Sequence, residues 1–285
     1  MFEDFDTRVV ETSDAEIHLR LGGDGPPLVL VHGYPQTHVA WHAVAPALAE
    51  QFSVVVPDLR GYGDSIGPDE PTTADYSNRA MGRDIVELMG RLGYDRFGLA
   101  GHDRGGRVAY RLALDHPDRV DRLAVLDMVP NVEKLDRFTP EMAEAAFHWF
   151  LLAQPSPLPE RLIGNDPAFF IDTMFERWAG DGVLSPDAIA EYRRCFCEDD
   201  TIRAICADYR AGLSLDVEHD RQDREQGRQI ACPVLSLWGT DGKSDLRPVW
   251  ERWADDVTGA GIDSGHFIME EAPEETRRHL ADFFG

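Results

Sequence analysis

Four short apolar runs, Leu28 to Val31, Val54 to Val56, Phe97 to Ala100 and Leu123 to Leu126, are separated by stretches of helical periodicity. No other feature limits the fold so tightly. Runs of this length, apolar at successive rather than alternate positions, read as strands buried on both faces. Trp41 to Glu50, Asn78 to Leu92 and Arg107 to Leu114 read as the intervening helices, the second with Met81, Ile85, Leu88, Met89 and Leu92 on one stripe. Such alternation implies right-handed crossovers and a mostly parallel α/β sheet covered by helices on both faces. The pattern stops near residue 131 and resumes with Pro233 to Trp238, a helix near Arg247 to Ala254, a short strand at Gly261-Ile262 and a last helix, Pro273 to Phe284. The stretch between is rich in aromatics and prolines and reads as several short helices, with the polar run Asp216 to Gln229 as the link back. The expected organisation is one core of residues 1–130 and 230–285 with a helical cap, residues 131–229, inserted over it. Ligands of open parallel sheets bind beyond the carboxyl ends of the strands, which such a cap would roof.

Charge narrows the function. Asp and Glu number 52 against 28 Lys and Arg, a net charge of −24 with an isoelectric point near 4.6. That surface repels nucleic acid and anionic membranes, so neither is expected as a partner. The first 20 residues carry Glu3, Asp4 and Asp6 and no apolar segment, unlike a secretory leader, and no apolar run approaches the ~20 residues that span a bilayer. Cys195, Cys197, Cys206 and Cys232 are then expected as free thiols in a reducing, cytoplasmic setting. On a helix, Cys195 and Cys197 fall on different faces, which disfavours a metal site with Cys206.

The chemistry concentrates where strands end. Phe97 to Ala100 runs into Gly101-His102-Asp103-Arg104-Gly105-Gly106 before a helix. Small residues on either side of a central one permit the sharp strand-to-helix turn that lifts a nucleophile clear of the backbone. The occupant is Asp103 rather than Ser, so the expected reaction is attack of a carboxylate on carbon, giving an enzyme ester that water then cleaves. An Asp that merely caps the helix is the plainer alternative. His32-Gly33-Tyr34-Pro35 follows an early strand, and His266 in Asp263-Ser264-Gly265-His266-Phe267 follows the last one, where a general base is expected. Two carboxylates, Asp127 and Asp241, follow strands and are candidates to orient it. Asp127 is preferred, because the more usual place in the later loop falls on Gly242. Arg104 and Arg107, three apart at a helix start, can face one site and grip a carboxylate as planar forks.

Taken together, HGYPQT from His32, GHDRGGR from Gly101, LAVLDMVP from Leu123, His148-Trp149, DYRAG from Asp208 and SGHF from Ser264 span essentially the whole chain. In this set the sequence resembles the haloacetate dehalogenases of the α/β-hydrolase fold, most closely the fluoroacetate dehalogenases. The resemblance implies Asp103 as nucleophile, with His266 and Asp127 activating water. It implies Arg104 and Arg107 on the substrate carboxylate, and His148, Trp149 and Tyr209 as donors to the departing halide. It further implies the backbone N–H groups of Tyr34 and Arg104 at the oxyanion, Trp178 lining the pocket, no cofactor or metal, and a homodimer. An epoxide hydrolase shares the Asp and His but needs cap phenols, for which Tyr192 and Tyr209 are available. A non-catalytic binding protein of this fold would usually lack a member of the triad, and none is missing.

Overall fold

The computed structural model describes residues 1–179, 183–241 and 244–285. Its eight strands are β1 (Asp6–Glu11), β2 (Glu16–Gly22), β3 (Pro27–Val31), β4 (Ser53–Pro57), β5 (Phe97–His102), β6 (Val120–Leu126), β7 (Val234–Gly239) and β8 (Val257–Ile262). They form one sheet in the order β1-β2-β4-β3-β5-β6-β7-β8. Every pairing from β4 through β8 is parallel, whereas β1–β2 and β2–β4 are antiparallel.

The central strands read as unbroken apolar runs because both faces are covered. Leu28, Leu30, Val54, Val56, Ala100, Ala124 and Leu126 point to one core, and Val29, Val31, Val55, Leu99, Leu123 and Val125 to the other. The helices Asn78–Arg91 and Asp103–Asp115 cover the second face through Met81, Ile85, Leu88, Met89, Val108 and Leu112, and Ala45–Leu48 and Pro273–Phe284 lie on the first. Each buried Leu, Ile or Val contributes about 1.5–3 kcal/mol over an exposed one, so this double core dominates stability.

Several expectations shift. The sequence pattern carries no apolar run of strand length for the N-terminal hairpin β1–β2: β1 is an exposed edge strand bearing Asp6, Arg8 and Glu11, as edges that resist further pairing usually do. Trp41 to Glu50 is a short turn of 3-10 helix, His38–Trp41, followed by Ala45–Leu48. Eight helices, from Asn131–Leu135 to Leu215–Glu225, separate β6 from β7 among the described residues. The polar run at Asp216 is therefore no linker but most of the helix Leu215–Glu225. Its buried face is acidic, and each acid is partnered. Asp216 accepts from the Asn78 N–H, Asp220 from the Tyr110 hydroxyl and the Val132 N–H, and Asp223 pairs with Arg111 and Arg228.

Candidate active site

The carboxyl ends of β3, β5, β6 and β8 deliver Tyr34, Asp103, Asp127 and His266 to one cavity of about 640 Å³. Two of the four have left-handed backbones, Asp103 at φ 44° and Asp127 at φ 55°. That conformation costs a non-glycine residue of the order of 1–3 kcal/mol and persists where the surroundings over-determine it. Around Asp103 they do. A Cβ at Gly105 would stand 2.2 Å from the His32 carbonyl oxygen, so the turn closes only with glycine there.

The Tyr34 N–H donates to Asp103 Oδ1 at 3.2 Å. His266 Nε2 stands 4.0 Å from Asp103 Oδ2, too far for a direct hydrogen bond but a span that one water bridges. On its other side His266 Nδ1 donates to Asp127 Oδ2 at 2.5 Å, and Asp127 Oδ1 accepts from the Gly239 N–H at 3.0 Å. Asp127 is thus the carboxylate that meets the imidazole. Asp241 is exposed on the cavity wall, and Gly242 lies outside the described residues. His102 adds a support that the sequence did not reveal. Its Nε2 donates to the His266 carbonyl oxygen at 2.9 Å, and burial holds the ring neutral, with a pKa of about 3. Burial also opposes ionisation of Asp103, but the electrostatic influence of its neighbours, His266 first and then the Arg107 and Arg104 guanidiniums, prevails and holds its pKa at about 2. Asp103 is therefore a carboxylate at neutral pH, the form in which a carboxyl group can attack carbon.

The opposite wall is aromatic. His148, Trp149, Tyr209, Trp178 and the ring of Tyr34 all line the cavity. His148 and Trp149 approach Tyr209 at 5.6 and 5.7 Å between centroids, and Trp178 lies 4.6 Å from His148 and 6.0 Å from His266. Burial lowers the His148 pKa to about 3, so its ring is a neutral donor, with Nδ1 unpartnered among the described residues. Tyr192, the other phenol considered, is fully buried away from the cavity and donates to Glu270 Oε1 at 3.1 Å.

The two arginines part company. Arg107 lines the cavity and lies 4.6 Å over the Trp149 ring. Its Nη1 donates to the Val129 carbonyl at 2.7 Å and to Asn131 Oδ1 at 2.5 Å, both neutral acceptors, and its buried Nε has no partner among the described residues. Arg104, expected beside it on the substrate, is instead fully buried and does not line the cavity. Its Nε donates to Asp208 Oδ2 at 2.9 Å, and its Nη2 to Asp208 Oδ1 and the Asp208 carbonyl. The buried carboxylate of Asp208 claims the cation first, a partner 104 residues away along the chain.

Among the described residues, the side chains that come close enough to hold a metal are elsewhere. His18, His38 and Asp58 bring one ligand atom each within 4.8 Å. The Asp58 oxygens already accept from the His38 and Asp64 N–H groups and from both imidazoles, so this donor set reads as a hydrogen-bonded knot at the end of β4. All four cysteines are free. Among the described residues no helix is long and apolar enough to cross a membrane.

A family model for the α/β-hydrolase fold matches residues 26–273. Fluoroacetate dehalogenase of Burkholderia sp is 43% identical, over 99% of this chain and 95% of its own length. Soluble epoxide hydrolase of Corynebacterium sp. is 38% identical, over 90% of each chain. A crystal structure of a provisionally assigned α/β hydrolase from Nostoc sp PCC 7120 superposes with a TM-score of 0.95 at 47% identity, over 99% of both chains.

Proposed function

Because this chain belongs to the haloacetate dehalogenase family of the α/β-hydrolase fold, we propose that it hydrolyses the carbon–halogen bond of 2-haloacetates, fluoroacetate included, to glycolate and halide. One observation carries the reading. Arg107 is a buried cation on the cavity wall beside Asp103, and among the described residues its hydrogen bonds go to neutral acceptors. That leaves a positive charge for an anionic substrate, which an epoxide does not supply.

In the proposed first step Arg107 holds the substrate carboxylate, while the Arg104 guanidinium stays paired with Asp208. Asp103 attacks the α-carbon, its C–O bond forming as the C–X bond breaks, and the halide leaves toward the donors of His148, Trp149 and Tyr209. Trp178 closes the aromatic wall. In the second step His266, oriented by Asp127, takes a proton from water, which adds to the ester carbonyl carbon of Asp103. The N–H groups of Tyr34 and Arg104 receive the oxyanion, a contribution typically worth about 10²–10³-fold for each donor. Tyr34 already donates to the same oxygen in the resting site. The reaction calls on no cofactor or metal.

The helices between β6 and β7 act as the cap in this scheme, residues 131–229. Phe150, Leu158, Leu162 and Phe169 are large and exposed on it, which supports a homodimer. The epoxide hydrolase reading draws on the Corynebacterium relative and on Tyr209, but Tyr192 is committed to Glu270, so only one of the two phenols considered reaches the cavity. Halide release from fluoroacetate and chloroacetate, set against diol formation from styrene oxide, separates the two. Single turnover in heavy-oxygen water tests the ester: the label is expected in Asp103, and label appearing first in glycolate overturns it.

A further inference from the structure

Arg104 sits between the two chemical poles of the cavity. Its backbone follows Asp103 directly, and its guanidinium grips Asp208, the residue before Tyr209. Arg104 and Asp208 are both fully buried. Tyr62, on the segment after β4, donates its hydroxyl to Asp208 Oδ2 at 2.6 Å. The guanidinium carbon lies 5.0 Å from the Tyr209 ring centre and 5.9 Å from that of Trp149. Gly212, one turn beyond Asp208, leaves the guanidinium its space, since a Cβ there would stand 2.7 Å from Nη1. Two nitrogens of a planar fork on one carboxylate fix both distance and angle. The nucleophile's own turn is thereby tied to the helix Asp199–Gly212, which carries Tyr209.

We propose that Asp208 and Tyr62 are positioning residues: through Arg104 they hold the leaving-group donors Tyr209 and Trp149 in line with Asp103. Displacement at carbon needs the attacking oxygen, the carbon and the departing halide on one axis, and ångström-scale errors in such alignment are costly in rate. A strut between the two ends of that axis matters most where the halide needs most help in leaving. The inference rests on the dehalogenase reading above.

That dependence on the leaving group supplies the test. Halide release from chloroacetate and bromoacetate is measured for the wild type, Tyr62→Phe and Asp208→Asn, with Asp103→Asn correcting for direct alkylation of thiols by bromoacetate. For Asp208→Asn, which loses a hydrogen bond between charged groups, kcat on chloroacetate should fall about tenfold further than kcat on bromoacetate. For Tyr62→Phe, which keeps the ion pair, the extra fall should be about threefold, with KM nearly unchanged. Equal losses on both substrates in Tyr62→Phe, or a rise in KM at constant kcat, overturn the strut and leave a merely structural or a substrate-gripping role. If Asp208→Asn does not fold, Tyr62→Phe decides alone. A wild type that releases no halide from either substrate overturns the dehalogenase reading itself.

Discussion

Replacing Asp127 with Asn should separate the two halves of the reaction. Among the described residues Asp127 accepts two hydrogen bonds: Oδ1 from the Gly239 N–H at 3.0 Å and Oδ2 from His266 Nδ1 at 2.5 Å. An amide offers one acceptor and one donor. The Gly239 N–H cannot turn, so the amide oxygen must face it, and the NH2 then faces His266. Two donors cannot share a hydrogen bond, so Nδ1 becomes the acceptor and the imidazole proton moves to Nε2. Nε2 is the nitrogen 4.0 Å from Asp103, the one that should take a proton from water, and in this tautomer it cannot. The comparable substitution in a Ser-His-Asp triad lowers kcat about 10⁴-fold, or ~5.4 kcal/mol at 1.36 kcal/mol per decade. Displacement of halide by Asp103 needs no base and should survive. Rapid-quench halide measurement should therefore show a burst of one halide per site and then nearly no turnover, with intact-protein mass rising by one carboxymethyl group. Turnover within tenfold of wild type, or no burst at all, would refute the division of labour.

Other variants test neighbouring links. Asp103→Asn should abolish halide release while circular dichroism and Tm stay near wild type, because Asn tolerates the left-handed backbone found there. Arg107→Leu should raise KM for chloroacetate by about 10²-fold, the loss of a buried charge-assisted partner, and an unchanged KM would remove Arg107 from substrate binding. Lowering ionic strength from 0.15 M to 0.01 M stretches the Debye length from about 8 to about 30 Å, so the −24 shell should slow capture of haloacetate, seen as lower kcat/KM. Glu270 concerns stability. Burial, only partly offset by hydrogen bonds from Tyr192 and Gln36, raises its pKa from 4.5 to about 8. Between those values the unfolded chain gives up a proton that the folded one keeps, so stability is greatest at low pH and falls as pH rises, by up to ~1.4 kcal/mol per unit. Asp216 and Asp220, raised by burial to about 7 and about 6, add to the same trend. In thermal melts from about pH 5 to 8, Glu270→Gln should flatten the fall in Tm, and an identical slope would mean that Glu270 ionises normally.

What the sequence made legible was local. Apolar runs located β3 to β7, and Gly101 to Gly106 located the turn at Asp103, because strand burial and tight turns are written within a few adjacent residues. The hairpin β1–β2 was not legible, since an edge strand keeps its charges outward and loses the apolar signal. The helix Leu215–Glu225 was missed for the converse reason: its buried face is acidic, and periodicity counts only apolar residues. Arg104 shows the same limit at the site, where proximity to Arg107 suggested a shared anion and the partner proved to be Asp208.

That limit makes Arg107 more informative, not less. Four arginines are buried: Arg60, Arg104, Arg107 and Arg111. In a chain with this excess of acid, three have taken carboxylates as partners, Arg60 with Asp84, Arg104 with Asp208, and Arg111 with Asp115 and Asp223. A buried cation left without one is costly, and an internal counter-charge was available in abundance. Among the described residues Arg107 forms no ion pair, and its hydrogen bonds end on Val129 and Asn131. It is also the one of the four that lines the cavity. The motif pairs Arg104 with Arg107, but the fold separates them into one arginine spent on architecture and one that lines the cavity near Asp103. A counter-ion brought by the substrate is the economical reading of that asymmetry, and it is why the carboxylate of a haloacetate, rather than its halogen, should dominate recognition.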